Sequence, residues 1–232
     1  MIIALNNKCN LDKEEFIKYT DELETINSNH EIIVCPSTIN IPMFNNYKLK
    51  LGSQNVAVNN TGAFTGEVCA KQLKSYGVKY SIVGHSERRQ YQKETNKEVN
   101  EKLKRLLENE IIPILCIGET LEERKSNKQE EVLLKEIKEG LIDFTEEEKE
   151  KIIIAYEPIW SIGTGLIPSN EEIIEVVNLI KKELPNNKVL YGGSANEENI
   201  STLKEIKKID GYLLGGLSLK IDKLKVFLEK LN

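Results

Sequence analysis

Short apolar runs alternate with longer amphipathic segments from one end of the chain to the other. The apolar runs predict strands over residues 2–6, 31–35, 51–56, 80–84, 111–116, 152–156, 188–191 and 211–214. The segments between them have helical periodicity and predict helices over residues 12–27, about 41–47, 68–76, 95–108, 129–141, 170–184, 197–206 and 220–231. Eight strands that each precede a helix are typical of a closed parallel barrel of the α/β class.

The composition is that of an ordinary globular protein. Hydrophobic residues make up 40% and charged residues 30% of the 232 residues, and no linker or low-complexity segment divides them. One α/β barrel can use a chain of this length. We therefore predict a single domain over residues 1–232.

Charge and cysteine usage restrict the classes of partner. The net charge is −5 and basic residues are interleaved with acidic ones, whereas binding to nucleic acid or a membrane surface needs a clustered basic face. The four cysteines include no C-x-x-C pair, which argues against a metal module and favours reduced thiols. The amino terminus lacks the basic segment of a signal peptide, so we expect a cytoplasmic location.

Glu157 has the most informative position in the chain. It follows the apolar run 152–155 and directly precedes Pro158. Because proline cannot continue a strand ladder, Glu157 is expected at the carboxyl end of a strand, where active-site side chains collect in parallel α/β proteins. Gly163 and Gly165 then provide a hinge and accessible backbone N–H groups. A carboxylate base beneath a glycine-containing loop indicates proton abstraction behind a lid.

Residue types that suit catalysis also follow the other predicted strands. They are Asn6 and Lys8 after the first, 85–89 after the fourth, Glu119 after the fifth, 192–194 after the seventh and 215–216 after the eighth. Taken singly, Lys8 has the ordinary explanation of a solvated charge, His85 of a capping or core histidine, and Glu119 of a salt bridge. A barrel, however, brings all of these strand ends to one rim, where glycine turns after the last two strands bind phosphate.

A series of short motifs occurs in a fixed order at the spacing of barrel strands. They are Asn6-x-Lys8-x-Asn10, Gln54-Asn55, GAFTGE at 62–67, VGHSERR at 83–89, CIGETLEER at 116–124, AYEPIW at 155–160, GTG at 163–165, YGGS at 191–194 and DGYLLGG at 210–216. Through these motifs the chain resembles the triosephosphate isomerase family over nearly its whole length. The resemblance implies a (β/α)8 TIM barrel and an aldose–ketose isomerase that needs no metal or organic cofactor. Its expected reaction is the interconversion of dihydroxyacetone phosphate and D-glyceraldehyde 3-phosphate in glycolysis and gluconeogenesis.

The resemblance also implies roles for individual residues. Glu157 is expected to be the base, a neutral His85 the electrophile, and Lys8 and Asn6 the groups that bind substrate and stabilise the enediolate. We expect desolvation under the apolar lid residues Trp160 and Ile162 to raise the basicity of Glu157. The expected phosphate-binding residues are Gly163, Ser194, Gly215 and Gly216, and the supporting residues are Ser86, Glu87, Glu119, Trp160 and Tyr191.

A homodimer is the assembly that the resemblance implies. The loop 62–67 is expected to dock near the first-strand loop of a second subunit. The residues expected at this interface are Thr65, Glu67, Arg88 and Cys9.

The chain departs from the usual family pattern at several positions near the site. The substituted positions are Asn7, Cys9, Ser161 and Leu166, where the family usually has tryptophan, methionine, alanine and lysine. In the family, a tyrosine at the position of Tyr191 bonds a backbone N–H at the end of the closed lid. The corresponding N–H falls near Pro168, which has none to donate, so this closure contact is expected to be either missing or moved by one residue.

Two other functions stay open on the residues alone. The glycine turns do not specify a substrate, so a phosphate-binding barrel that acts on a different sugar phosphate is the first alternative. A barrel that has lost activity and serves as an interaction protein is the second. The combination of Glu157, Lys8 and His85 favours the triose phosphate enzyme over both, and an assay with glyceraldehyde 3-phosphate separates the three.

Overall fold

A closed parallel barrel forms the centre of the molecule in the computed structural model, which describes residues 1–45, 48–164 and 166–232. Its strands, which are hydrogen-bonded in chain order, are β1 (Ile2–Asn6), β2 (Glu31–Cys35), β3 (Lys50–Ser53), β4 (Tyr80–Val83), β5 (Ile112–Ile117), β6 (Ile153–Tyr156), β7 (Val189–Tyr191) and β8 (Gly211–Leu214). Closure pairs Ile2 with Gly211 and Leu5 with Leu214. The predicted eight-stranded α/β barrel is confirmed.

Helices surround the barrel. They are α1 (Lys13–Glu24), α2 (Ala70–Ser75), α3 (Ser86–Tyr91), α4 (Asn96–Glu108), α5 (Leu121–Lys125), α6 (Gln129–Gly140), α7 (Glu146–Glu150), α8 (Asn170–Glu183), α9 (Ile200–Leu203) and α10 (Ile221–Leu231). Short 3-10 helices cover Thr38–Met43, Ile159–Ser161 and Gly216–Leu219. Every helix in the described part of the chain is too short or too polar to cross a membrane.

The core has two layers because side chains alternate along each strand. In β1, Ile3 and Leu5 pack outward against the helices, whereas Ile2 and Ala4 belong to a separate cluster inside the barrel. In β6, Ile153 and Ala155 belong to the same inner cluster. The same alternation directs Asn6 and Glu157, the next positions along these strands, toward the barrel mouth.

β3 ends earlier than predicted. It stops at Ser53, whereas the apolar pattern extended to residue 56. The side-chain amide of Gln54 donates to the carbonyls of Cys35 and Lys8, each at 2.9 Å. The chain leaves the ladder at this point because a side chain takes over the role of the backbone donor.

Two predicted helices differ clearly from the structure. The helix predicted at about 41–47 is a 3-10 helix over Thr38–Met43 that contains Pro42, and residues 46 and 47 of that prediction lie outside the described residues. The helix predicted over 197–206 is reduced to α9. Asn196 accepts from the backbone N–H groups of Glu198 and Asn199 at 2.8 and 3.1 Å, which holds this segment in a turn.

Candidate active site

The predicted phosphate-binding residues meet at the carboxyl ends of the strands. They line a cavity of about 520 Å³ together with Lys8, and they are Gly163, Ser194, Gly215 and Gly216. The side chain of Glu157 packs against Gly192 at the edge of this cavity, where an added Cβ would lie 3.0 Å from its Cγ. The barrel thus brings together residues from the loops after β1, β6, β7 and β8.

Glu157 and His85 are in direct contact. Oε1 of Glu157 lies 3.0 Å from Nε2 of His85, and its Oε2 accepts a hydrogen bond from the backbone N–H of Ser86 at 3.0 Å. Both side chains are almost completely buried. The sequence predicted that both residues belong to one site but did not predict this mutual contact.

The basicity of Glu157 differs from the expectation. Burial by itself raises the pKa of its carboxyl group, but the contact with His85 and the N–H of Ser86 outweigh burial, so that the pKa lies below its usual value. The rise in basicity that was expected under the lid is therefore not present in this arrangement.

The protonation of His85 follows from its place before α3. It is the N-cap of that helix, and its Nδ1 accepts from the backbone N–H of Glu87 at 3.2 Å. A neutral ring therefore carries its proton on Nε2, which faces Glu157. Burial lowers the pKa of His85, but the carboxylates of Glu157 and Glu87 together raise it by more than burial lowers it. The net shift of the pKa is upward, which runs against the expected neutral ring in this arrangement. If Glu157 moved toward a substrate, the larger of the two effects that raise the pKa of His85 would be lost.

Lys8 is fixed by contacts on both sides of its backbone. It has a left-handed φ of 52°, a conformation that costs about 1 kcal/mol for a non-glycine residue. Its N–H donates to Oδ1 of Asn6 at 3.1 Å, and its carbonyl accepts from Ser37 and Gln54, each at 2.9 Å. The ammonium group donates to Oε1 of Glu87 at 2.5 Å. Lys8 is therefore a positioned charge and not a freely solvated one.

Glu119 holds the first part of the lid segment. Its Oε1 accepts from Arg124, Tyr156 and Trp160 at 3.0, 3.1 and 3.0 Å. The side chain is completely buried. The salt-bridge explanation is therefore correct. Glu119 also contacts Trp160, and its supporting role in catalysis stays a prediction.

The segment that follows Glu157 is tied to the turn after β7. The hydroxyl of Ser194 donates to the carbonyl of Ser161 at 2.5 Å, and the N–H of Ser194 lies 3.4 Å from the Ser161 hydroxyl. The buried hydroxyl of Tyr191 has no hydrogen-bond partner of normal geometry among the described residues. Burial raises the pKa of Tyr191, and the nearby Ser161 side chain offsets part of this rise. Gly165, the last residue of the GTG motif, lies outside the described residues.

A family model described as triosephosphate isomerase matches residues 1–231. The chain belongs to the triosephosphate isomerase family. A relative named triosephosphate isomerase from Clostridium tetani is 44% identical over 94% of this chain and 92% of its own length. A relative with the same name from Dictyoglomus turgidum is 42% identical over 94% of this chain and 94% of its own length. Another, from Mesomycoplasma hyorhinis, is 44% identical over 88% of this chain and 84% of its own length.

The residues that the family resemblance placed at a subunit interface lie on the surface. Cys9 is exposed, as are all residues from 60 to 67, which include Thr65 and Glu67. Arg88 is half-buried and donates to Oε1 of Glu94 in its own chain at 3.0 Å. Asn7, which departs from the family pattern, is fully buried and donates to Tyr19 and Ser218 at 3.3 and 3.4 Å.

A network of buried charges behind the site was missed by the sequence prediction. Lys102 pairs with Glu94, and the other carboxylate oxygen of Glu94 accepts from the N–H of Gly84 at 3.1 Å. On a second side, Arg89 donates to the carbonyl of Gly84 at 2.8 Å and lies 3.5 Å from Glu136. Lys102 and Glu136 occupy core-facing positions of amphipathic helices. A charged residue in an apolar helical stripe was the available signal.

Proposed function

We propose that this protein catalyses the reversible interconversion of dihydroxyacetone phosphate and D-glyceraldehyde 3-phosphate through an enediolate. Membership of the triosephosphate isomerase family supports this reaction. The observation that carries the assignment to residues is the contact of 3.0 Å between Glu157 and Nε2 of His85. The proposed base and the proposed proton donor lie beside a cavity that Lys8 lines, which supports the assignment.

Glu157 is proposed to be the base that moves a proton between the two adjacent carbons of the substrate. In the arrangement described here, its carboxylate is held by His85 and Ser86. To reach a substrate carbon it must leave these partners, and the loss of their hydrogen bonds in a buried site raises its basicity. The predicted strong base therefore belongs to the substrate-bound arrangement.

His85, Lys8 and Asn6 are proposed to stabilise the enediolate. The Nε2–H of a neutral His85 can donate to the substrate oxygens once Glu157 has moved. Lys8 supplies a positive charge whose backbone is fixed by Asn6 and whose side chain is fixed by Glu87. Preorganised donors of this kind stabilise charge that develops in a transition state without further reorganisation.

The phosphate group is proposed to bind in the cavity of about 520 Å³. Backbone N–H groups of Gly163, Ser194, Gly215 and Gly216 are the proposed donors. Because the N–H of Ser194 is at the limit of hydrogen-bond distance from Ser161, at 3.4 Å, a phosphate oxygen can replace this partner at little cost. Closure of the lid would then exclude water and limit loss of phosphate from the enediolate.

We also propose that residues 1–232 form one catalytic domain and that the protein is a cytoplasmic homodimer. The hydrogen-bonded closure between β1 and β8 joins the two ends of the chain, which supports a single unit. The exposed loop from residue 60 to 67 supports a docking segment. The cytoplasmic location is supported by the glycolytic role that the family implies.

A coupled assay with glyceraldehyde 3-phosphate tests the reaction, and Glu157→Gln tests the base. The variant keeps the shape of the side chain but cannot accept the carbon-bound proton. We expect turnover to fall by about three orders of magnitude or more, at about 1.4 kcal/mol of transition-state stabilisation per decade.

Binding of a phosphate-bearing inhibitor should be largely retained, and Glu122→Gln, a change of the same chemistry at an exposed position, should have no effect. A Glu157→Gln variant with most of its turnover would show that the base is another residue. Absence of isomerisation by the unmodified protein would overturn the proposed function itself.

A further inference from the structure

Glu136 is a buried carboxylate on the core-facing side of α6. Leu133, Ile137 and Gly140 are the buried residues beside it on this helix, and Glu136 itself is only 8% exposed. Its Oε2 accepts from the backbone N–H of Gly118 at 2.8 Å, and its Oε1 lies 3.5 Å from Nε of Arg89. The proposed reaction gives this residue no role.

Each partner of Glu136 supports one member of the Glu157–His85 pair. Gly118 packs so closely on Glu157 that an added Cβ would lie 1.8 Å from the Glu157 carbonyl oxygen. The Nε of Arg89 donates at 2.8 Å to the carbonyl of Gly84, the residue directly before His85. The pair formed by Arg89 and Glu136 therefore connects the end of β4 to the turn after β5.

The charge of Glu136 is opposed by its surroundings. Burial raises the pKa of Glu136 to about 7, although Arg89 from α3 and the N–H of Gly118 favour the ionised form. Glu123 from α5 and Glu157 after β6 oppose ionisation further, and the thiol of Cys116 in β5 also faces Glu136. A glutamine would satisfy Gly118 equally well without the cost of a buried charge. The contact that needs a carboxylate is the one with Arg89.

We propose that Glu136 is a positioning residue that, through Arg89 and Gly118, sets the relative positions of His85 and Glu157. The proposal rests on the proposed isomerase function. The ionised carboxylate holds both strand ends. Its protonation weakens the pair with Arg89 and loosens the connection between them.

The effects of pH on activity and on stability have opposite signs. The folded-state pKa of Glu136 lies above its ordinary value, so the folded protein retains this proton at a pH where the unfolded chain has released it. The contribution of Glu136 to stability is therefore greatest at acidic pH and falls as pH rises toward about 7. The positioning effect, in contrast, is present above that pH and is lost as pH falls through it.

Glu136→Gln separates positioning from ordinary structural support. It keeps the acceptor for Gly118 but removes the charge, and Glu131→Gln provides the matched control on an exposed face of the same helix. At about pH 8 we expect kcat of Glu136→Gln to fall about tenfold while KM changes less than about twofold. The difference from the unmodified protein should shrink as pH falls below about 7, and Tm of the variant should be higher at about pH 8.

Other titrating groups do not affect the comparison of kcat between Glu136→Gln and the unmodified protein. His85 and the substrate phosphate titrate in both proteins, so their effects are shared by the two pH profiles and disappear from the ratio of kcat values. Arg89→Lys, which retains the charge but not the fork of donors, should lower kcat in the same pH range.

Equal kcat values for Glu136→Gln and the unmodified protein at about pH 8 would overturn the proposal. The proposal would also be overturned if Glu136→Gln lost the same fraction of kcat at every pH and had a lower Tm, because that result is expected of a purely structural role. If the unmodified protein has no isomerase activity, the proposed function is refuted. The titration of Glu136 is tested separately, by the difference in Tm between Glu136→Gln and the unmodified protein.

Discussion

At the scale of single residues, an ordinary structural role and the proposed catalytic role coincide at His85. Its Nδ1 caps α3 by accepting from Glu87, as the capping explanation requires. The same bond leaves the proton of a neutral ring on Nε2, the atom that faces Glu157. The cap is therefore what gives the ring the tautomer that an electrophile needs.

The sequence predicted the membership of the site but not its contacts. Strand alternation directs Asn6 and Glu157 inward, and the proline after Glu157 marks the strand end. The contact between Glu157 and His85 and the charged pair of Arg89 and Glu136 join residues from different strands or helices. Such contacts depend on barrel register and side-chain geometry, which periodicity along one chain does not contain.

Lys8→Met is expected to weaken both substrate binding and chemistry. Lys8 lines the cavity proposed for the phosphate, and its charge is also proposed to stabilise the enediolate. We expect KM to rise and kcat to fall, each by at least about tenfold, or about 1.4 kcal/mol per decade. Steady-state kinetics and inhibitor titration measure the two effects.

Two further variants serve as comparisons for Lys8→Met. His85→Gln should act mainly on kcat, because the ring donates to oxygens at the reacting centre. Lys18→Met removes a lysine charge at an exposed position of α1 and should leave both constants unchanged. A Lys8→Met protein with normal affinity for a substrate analogue would contradict the proposed double role.

At the scale of elements, long periodic segments were predicted well and short helices were missed. α8 begins at Asn170, as predicted, and Ser169 and Glu172 form a reciprocal cap at its start. α3, α5 and α7 contain only five or six residues each, too few to establish a 3.6-residue period. α3 is the most consequential of these because it positions His85, Glu87 and Arg89.

The lid contains the expected departure at Pro168. The buried hydroxyl of Tyr191 has no hydrogen-bond partner of normal geometry among the described residues, and the closure contact expected from the family resemblance falls near Pro168. Pro168→Ala restores an N–H there. If that N–H reaches Tyr191, one net hydrogen bond of about 1 kcal/mol should tighten binding of a phosphate-bearing inhibitor about fivefold.

A double-mutant cycle with Tyr191→Phe isolates this contact. Removal of proline also changes the freedom of the open lid, but that effect is the same with either residue at position 191. The gain from Pro168→Ala should therefore disappear in the Tyr191→Phe background. An equal gain in both backgrounds would show that Tyr191 does not take part in closure.

At the scale of the whole molecule, the barrel was predictable because every level of the sequence agrees with it. Eight apolar runs, separated by amphipathic segments, predict both the number of strands and their parallel direction. The catalytic residue types then fall on one rim without further assumptions. The buried charges of Glu94, Lys102 and Glu136 disagree with the apolar pattern of their surroundings, and they support the backbone directly behind the site.

Assembly into a two-fold dimer is the last expectation at this scale. The loop from residue 60 to 67 is exposed along its whole length, and Phe64 within it is 44% exposed. An exposed aromatic side chain on a loop of small residues is suited to docking on a second copy of the chain. Sedimentation at about micromolar concentration should therefore give a dimer, since obligate homodimers separate only on dilution.

Cys9 provides a chemical test of that dimer. It is the exposed cysteine, whereas Cys35, Cys69 and Cys116 are buried, so a bulky thiol reagent should react with Cys9 selectively. In the proposed dimer Cys9 lies under the partner's loop, and the reagent should capture separated subunits, block their reassociation and inactivate the enzyme. Cys9→Ser should keep the dimer and resist the reagent. A monomer that retains full activity, or modification of Cys9 without loss of either the dimer or activity, would refute the proposed interface.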